Sequence, residues 1–387
     1  MTQNGLTQTH TLRRILGVYD SRIPGPTLVA LGGVHGNELG GVKALTRVLA
    51  MMSESGMSLR GRFVAMAGNL EALECGQRFV DRDLNRAWLP EDLEALLGRS
   101  PDLDGVEDRE QRELVEVLVR IERESTGPMV FIDLHTSSAA GSSFSCMSDT
   151  LANRRVARAL PIPLILGLEE CIDGAIMEFF NRRGMAAVAV EGGRHDDPTS
   201  VDNLAAAVWL VLDAARMLPS GQVNLEDCRG VLSRSAEGQP PVLEILHRQH
   251  IEPGDEFVME PGFESFQQVS KGRLLACYND IEIRAPEDCR VLLPLYQGQG
   301  EDGFFLARSV SELWLRLASV FRRLRLPSIL HWLPGVSRHP SLSDTLVVEP
   351  RVARACAVAL FHLLGFRRQR MLAGKLCFSR RRDPLLD

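Results

Sequence analysis

The chain has 387 residues, of which 45% are hydrophobic and 24% charged, with a formal net charge of −6. That is the composition of a globular protein with room for one large domain and a smaller one, and no stretch approaches the roughly 20 apolar residues of a membrane span. The charge is unevenly spread. Residues 311–387 carry 14 Lys and Arg against 5 Asp and Glu, or +9, and residues 1–310 carry 30 against 45, or −15. So acidic a body argues against nucleic acid as a partner. The eight cysteines (75, 146, 171, 228, 277, 289, 356 and 377) include no C-x-x-C spacing and the first twenty residues no apolar signal run. A reducing, cytoplasmic location is expected.

From residue 27 to about 217, short β-rich apolar runs (28–31, 63–67, 129–134, 164–168 and 186–190) alternate with helical spacing (39–52, 108–124, 151–160 and 175–183). Such alternation predicts an α/β domain with a mostly parallel sheet. Asp197 before Pro198 is a helix start, the acidic cap preceding a proline at the first helical position. Between residues 222 and 310, Gly and Pro punctuate six short runs (242–246, 255–259, 274–278, 281–284, 291–296 and 304–308), as in a small β sandwich or barrel. Residues 311–387 read as helical and basic, broken by Pro327, Pro334, Pro340 and Pro350. The expected division is 1–220, an α/β catalytic domain; 221–310, a small β-rich domain; and 311–387, a basic helical tail.

Four predicted strand ends carry polar chemistry. The first leads to His35 and Glu38, the second to Gly68-Asn69, the third to His135 and the fourth to Glu191. Ligands of open α/β sheets bind outside the carboxyl ends of the strands, so these residues are expected on one edge. His35 and Glu38 are three apart on a turn whose Gly33 and Gly36 permit unusual backbone angles and leave room beside a metal. Two histidines and a glutamate with a fourth position open form a catalytic zinc site, and the metal brings the pKa of its water to about 7. Asp133, two residues before His135, shares its strand face and can accept its other ring N–H. Glu191, followed by two glycines, is the candidate proton carrier, with His195 second. Arg78 to Arg86 carries three arginines, whose forks bind carboxylates and stabilise oxyanions.

Gly33-Val34-His35-Gly36-Asn37-Glu38, Arg78 with Asp83-Leu84-Asn85-Arg86, Asp133-Leu134-His135 and Glu191-Gly192 resemble, in order and spacing, the signature set of the aspartoacylase/succinylglutamate desuccinylase family. The similarity spans about residues 25 to 310. It implies a carboxypeptidase-like α/β domain followed by a smaller β domain, and one zinc per chain on His35, Glu38 and His135. It also implies Glu191 as general base and then acid, Arg78 on the scissile carbonyl oxygen, and Asn85 and Arg86 on a substrate carboxylate. Two departures stand out. The position of the family's side-chain-binding arginine falls near Asn181, with Arg182 and Arg183 adjacent, and the stretch 300–305 lacks the family's tyrosine.

The expected activity is zinc-dependent hydrolysis of an acyl group from an N-acyl amino acid or related small molecule, amide or ester. The rival readings are a zinc carboxypeptidase and a non-catalytic metal-binding protein of the same fold. Only 96 residues separate Glu38 from His135, fewer than carboxypeptidases usually have, and Asp83 to Arg86 suits the deacylases better. For the tail, packing on the acidic body or on a second subunit of a homo-oligomer is preferred to an anionic membrane surface, because the prolines prevent one long amphipathic face. All proposed catalytic residues precede it, so it is expected to be dispensable for chemistry.

Overall fold

The computed structural model describes residues 12–324, 326–342, 344–349, 358–372, 375–381 and 383. Up to residue 310 the strands are β1 (Ile15–Asp20), β2 (Ile23–Gly32), β3 (Arg60–Ala67), β4 (Met129–Ser137), β5 (Phe144–Cys146), β6 (Leu164–Leu166), β7 (Ala186–Arg194), β8 (Val242–His250), β9 (Phe257–Met259), β10 (Gln268–Val269), β11 (Leu274–Tyr278), β12 (Ile281–Arg284), β13 (Cys289–Leu292) and β14 (Asp302–Ser309). Eleven form one sheet in the order β1-β3-β2-β4-β7-β5-β6-β8-β14-β13-β10. β3, β2, β4 and β7 run parallel at its centre.

The apolar runs are continuous because both sheet faces are covered. Along β2 the buried residues alternate with period two. Leu28 and Ala30 pack with helices Leu39–Ser55 and Pro198–Ala214, while Val29 and Leu31 pack with helices Val106–Glu124 and Met177–Arg182. The helix start read at Asp197 is present: its side chain accepts from the Thr199 amide.

β5 has no counterpart among the expected strands. It runs against β7, pairing Phe144 with Glu191 and Cys146 with Ala189, so β6 and β8 beyond it point the opposite way to β4 and β7. Residue 221 does not begin a separate sheet. β8, β14, β13 and β10 prolong the central one, and only β9, β11 and β12 form a second sheet with its own core around Phe263, Leu275 and Phe304.

The tail departs from the expectation of a helical appendage. Besides helices Glu312–Arg323 and Val358–Leu363, it contains β15 (Val336–Arg338), β16 (Thr345–Val348), β17 (Arg368–Leu372) and β18 (Lys375–Ser379), an antiparallel sheet in the order β15-β16-β18-β17. The β-branched Thr345, Val347 and Val348, and the alternation that buries Phe378 beside Phe361 and Phe366, favour strands here. Pro350 and Cys356 lie outside the described residues. The tail docks on the body through buried ion pairs. Asp149 receives Arg154 at 2.6 Å, Arg322 at 2.7 Å and Arg367 at 2.7 Å, and Arg367 also reaches Glu244 at 2.6 Å. Charge drives the packing expected of a basic segment against an acidic body. The same contacts bear on stability: without residues 311–387, buried Asp149 loses two of its three cations. No helix among the described residues is long and apolar enough to cross a membrane.

Candidate metal centre and cleft

β2 ends at Gly32, and the chain turns through Gly33, at φ +74°, into helix Leu39–Ser55. A Cβ on Gly36 would lie 2.0 Å from the Ala72 carbonyl carbon, so only glycine lets this turn pack on helix Leu70–Cys75. The Glu38 amide donates to the His35 carbonyl at 3.1 Å, which folds the two side chains together. His35 Nδ1 lies 2.7 Å from Glu38 Oε1, and His135 Nδ1, brought by β4, lies 3.1 Å from Glu38 Oε2. The three residues are buried, and their candidate ligand atoms all lie within 4.8 Å of one another.

Each imidazole is backed by a carboxylate through its other nitrogen. Asp133 Oδ2 is 2.9 Å from His135 Nε2, as its place on the strand requires, and Asp83 Oδ1 is 3.2 Å from His35 Nε2. Both contacts leave Nδ1 turned toward Glu38. Burial pushes Glu38 upward, but the two imidazoles outweigh it and hold the carboxylate well below its usual range. For His135 burial works downward, yet Asp133 and Glu38 raise it well above the ordinary imidazole value. Two imidazoles, one carboxylate between them and two more behind form a buried donor set with an excess of negative charge. A divalent cation fits these residues: it would take the nitrogen and oxygen donors and neutralise the carboxylates.

Glu191 stands opposite His135 in the β4–β7 register. Its Oε2 is covered and has no hydrogen-bond partner among the described residues. Burial pushes this carboxyl up to about 8, while His135 opposes the shift. Arg78 reaches the same cleft, with Nη2 3.0 Å from Asp83 and Nη1 3.6 Å from Glu38. Its loop is pinned by fully buried Glu107, which accepts from the amides of Val80 at 2.7 Å, Asp81 at 2.8 Å and Arg82 at 3.2 Å.

Asn85 and Arg86 line the cleft but are engaged internally. Asn85 Oδ1 accepts from the Ile176 amide at 2.8 Å, and Arg86 Nη2 lies 2.6 Å from Asp302. His195 also borders the cleft, held between Thr136 Oγ1 at 2.8 Å and Gln297 Oε1 at 3.2 Å. Asn181, Arg182 and Arg183 do not reach it. Asn181 is bound to Asn153, Arg182 pairs with Glu178, and Arg183 lies over Phe179. Sequence reasoning missed the roles of Asp83 and Glu107, and it missed Glu169 on the cleft wall altogether. Asp83 carried a local signal, an Asp two residues before an amide it caps (Asn85, 2.8 Å), whereas Glu107 and Glu169 carried none.

Residues 24–213 match the profile of the family described as succinylglutamate desuccinylase/aspartoacylase catalytic domain. A succinylglutamate desuccinylase from Pseudomonas fluorescens is 29% identical over 118 residues, covering 30% of this chain and 33% of that protein. A probable aspartoacylase from a Nostoc species is 30% identical over 109 residues, covering 28% and 34%. These matches span about a third of the length of the curated relatives. Among solved structures, a succinylglutamate desuccinylase/aspartoacylase from Rhodobacter sphaeroides superposes with a TM-score of 0.54 at 17% identity, over 75% of this chain and 87% of that one. The product-bound ectoine utilization protein EutE (DoeB) from Ruegeria pomeroyi gives 0.53 at 20%, over 74% and 85%. At such identities the superpositions speak for the fold. With its signature residues gathered at the carboxyl edge of the sheet, the domain at residues 24–213 belongs to the succinylglutamate desuccinylase/aspartoacylase family.

Proposed function

We propose that the protein is a zinc-dependent hydrolase that removes an acyl group from an N-acylated amino acid or a related small amine. The observation that carries this reading is the buried His35–Glu38–His135 cluster facing the same cleft as the unpartnered Glu191 oxygen. His35, Glu38 and His135 would hold the metal, with Asp83 and Asp133 fixing the ring orientations. When bound, zinc supplies a Lewis acid that polarises the acyl carbonyl and acidifies water. Glu191, raised by burial, takes the proton of the attacking water and returns it to the leaving nitrogen as the C–N bond breaks, giving a carboxylic acid and an amine. Arg78 donates to the oxyanion that forms on the carbonyl oxygen. Asn85 and Arg86 shape the substrate wall. An ester would use the same groups.

The seven described cysteines are free thiols, which supports a reducing, cytoplasmic location. The test is to load the protein with zinc and offer N-acetyl-amino acids beside peptides with free carboxyl termini. Release of acetate from the former supports the reading. Exclusive trimming of the peptides would make it a carboxypeptidase, and no turnover of either would leave a metal-binding protein.

A further inference from the structure

The arginines that line the cleft are already matched by carboxylates of this chain. Arg78 is taken by Asp83 and Glu38, and Arg86 by Asp302 at 2.6 Å and Glu301 at 3.7 Å. Asp302 is shared further with Arg248. The unmatched charge therefore has the opposite sign. Glu169, on the short helix Leu168–Cys171 after β6, lines the cleft with only 6% of its surface exposed, and its carboxylate has no hydrogen-bond partner among the described residues. The wall around it is apolar: Leu168, Ile172, Met177 and Phe305 line the same space. An apolar wall ends at a buried carboxylate whose nearest cation, Arg381, is already paired with Glu178, and that arrangement is complementary to an alkyl chain ending in an ammonium group, since a buried carboxylate is costly unless paired.

We propose that this wall is the subsite for a protonated primary amine, so that the acylated compound carries an alkylammonium arm whose nitrogen is held by Glu169. Which bond is cut rests on the deacylase reading; what is bound rests on the cleft alone. Asn181, Arg182 and Arg183, nearest the place of the family's side-chain-binding arginine, lie outside the cleft, so none of them offers a site for an anionic arm. The groups around Glu169 are Arg381 from the tail, Glu170 on its own helix, Glu178 on helix Met177–Arg182, Asp133 on β4 and Cys146 on β5. Burial pushes Glu169 up to about 8, with Arg381 opposing and the three carboxylates adding to the shift. At pH 7 the empty site is therefore largely neutral, and an arriving ammonium displaces a proton.

The test is isothermal calorimetry of free L-ornithine, L-norvaline and L-glutamate on the full-length protein at pH 7, ligands that need no turnover. Ornithine should bind about tenfold or more tighter than norvaline, the range of one charge-assisted hydrogen bond, with glutamate weakest. Glu169→Gln should bring ornithine down to the level of norvaline. In wild type, repeated in buffers of different ionisation enthalpy, ornithine should release more protons than norvaline, a readout that needs no variant. Equal binding of ornithine and norvaline, tightest binding of glutamate, equal proton release, or a full preference in a folded Glu169→Gln protein would each overturn the subsite. If ornithine is preferred but zinc-loaded protein leaves Nα-acetyl-L-ornithine intact, the deacylase reading falls and the subsite stands.

Discussion

Two buried charge clusters lie within this fold, and they are built in opposite ways. At the tail junction, Asp149 is enclosed by Arg154, Arg322 and Arg367, and Glu244 by Arg308, His362 and Arg367. At the cleft, Glu38, Asp83, Asp133 and Glu191 surround two imidazoles and one arginine, and oxygens of Asp133 and Glu191 have no partner among the described residues. The first cluster is closed: its carboxylates meet more cations than they need, so it serves to hold elements together. The second is open, with buried acceptors to spare, which is costly unless a ligand completes it. The difference separates a joint from a site without appeal to conservation.

Breaking the open cluster should have the largest effect. His35→Ala or His135→Ala is expected to take zinc from about one per chain to none, read by metal analysis after dialysis, with turnover lost. Full occupancy in either variant would remove that residue from the centre. Glu191→Gln should keep its zinc and lose about 10²- to 10⁴-fold in kcat, because an amide cannot relay the proton. A kcat near wild type would pass the role to His195.

Breaking the closed cluster should act on stability and leave the metal alone. Asp149→Ala strands three arginines around a buried gap, and about 3–5 kcal/mol of stability should go with it, seen as a lower midpoint in urea. An unchanged midpoint would mean that the tail junction contributes nothing. A subtler change at the open cluster is Asp133→Asn, which frees His135 from its backing carboxylate; zinc affinity should drop about 10- to 100-fold, measured by competition with a chelator.

The smallest effect concerns acid. Burial raises Glu178, but Arg381 and Arg182 outweigh it and hold the carboxyl at about 2, against 4.5 for the free group. A carboxyl depressed by folding adds stability above pH 4.5 and loses it as pH falls from 4.5 toward 2. The thermal midpoint should therefore decline through that window, and Arg381→Ala should flatten the decline. The same slope in both proteins would dissociate the tail from the acid response.

What was legible in the sequence follows from the same contrast. His35, Glu38, His135 and Glu191 announced themselves because each interrupts or ends an apolar run at a strand terminus, where parallel topology fixes the edge it lies on. Asp133 followed from strand alternation. Glu169 could not be read, since Leu168-Glu169-Glu170-Cys171 looks like a solvated turn until the reversed β5–β6 pair carries it to the cleft. Glu107 is hidden for a similar reason: it lies in a charged helix, and only tertiary packing brings the arginine loop's amides to it. The tail sheet was obscured by its prolines and arginines, which break periodicity, while the pairing that makes strands of it is formed across long sequence separations.

The contacts of Arg381 with Glu178 and of Asp383 with the Leu151 amide give the fold a temporal order. Helix Met177–Arg182 forms part of the cleft wall through Met177, and its buried carboxylate waits for an arginine more than two hundred residues downstream. At about 5–20 residues per second of synthesis, that arginine emerges roughly ten to forty seconds after the helix it secures. His35, Glu38, His135 and Glu191 are all translated before the wall is braced, so a nascent chain carries the residues of its cleft before it holds the cleft's shape. The wall is secured by residues that leave the ribosome long after it does.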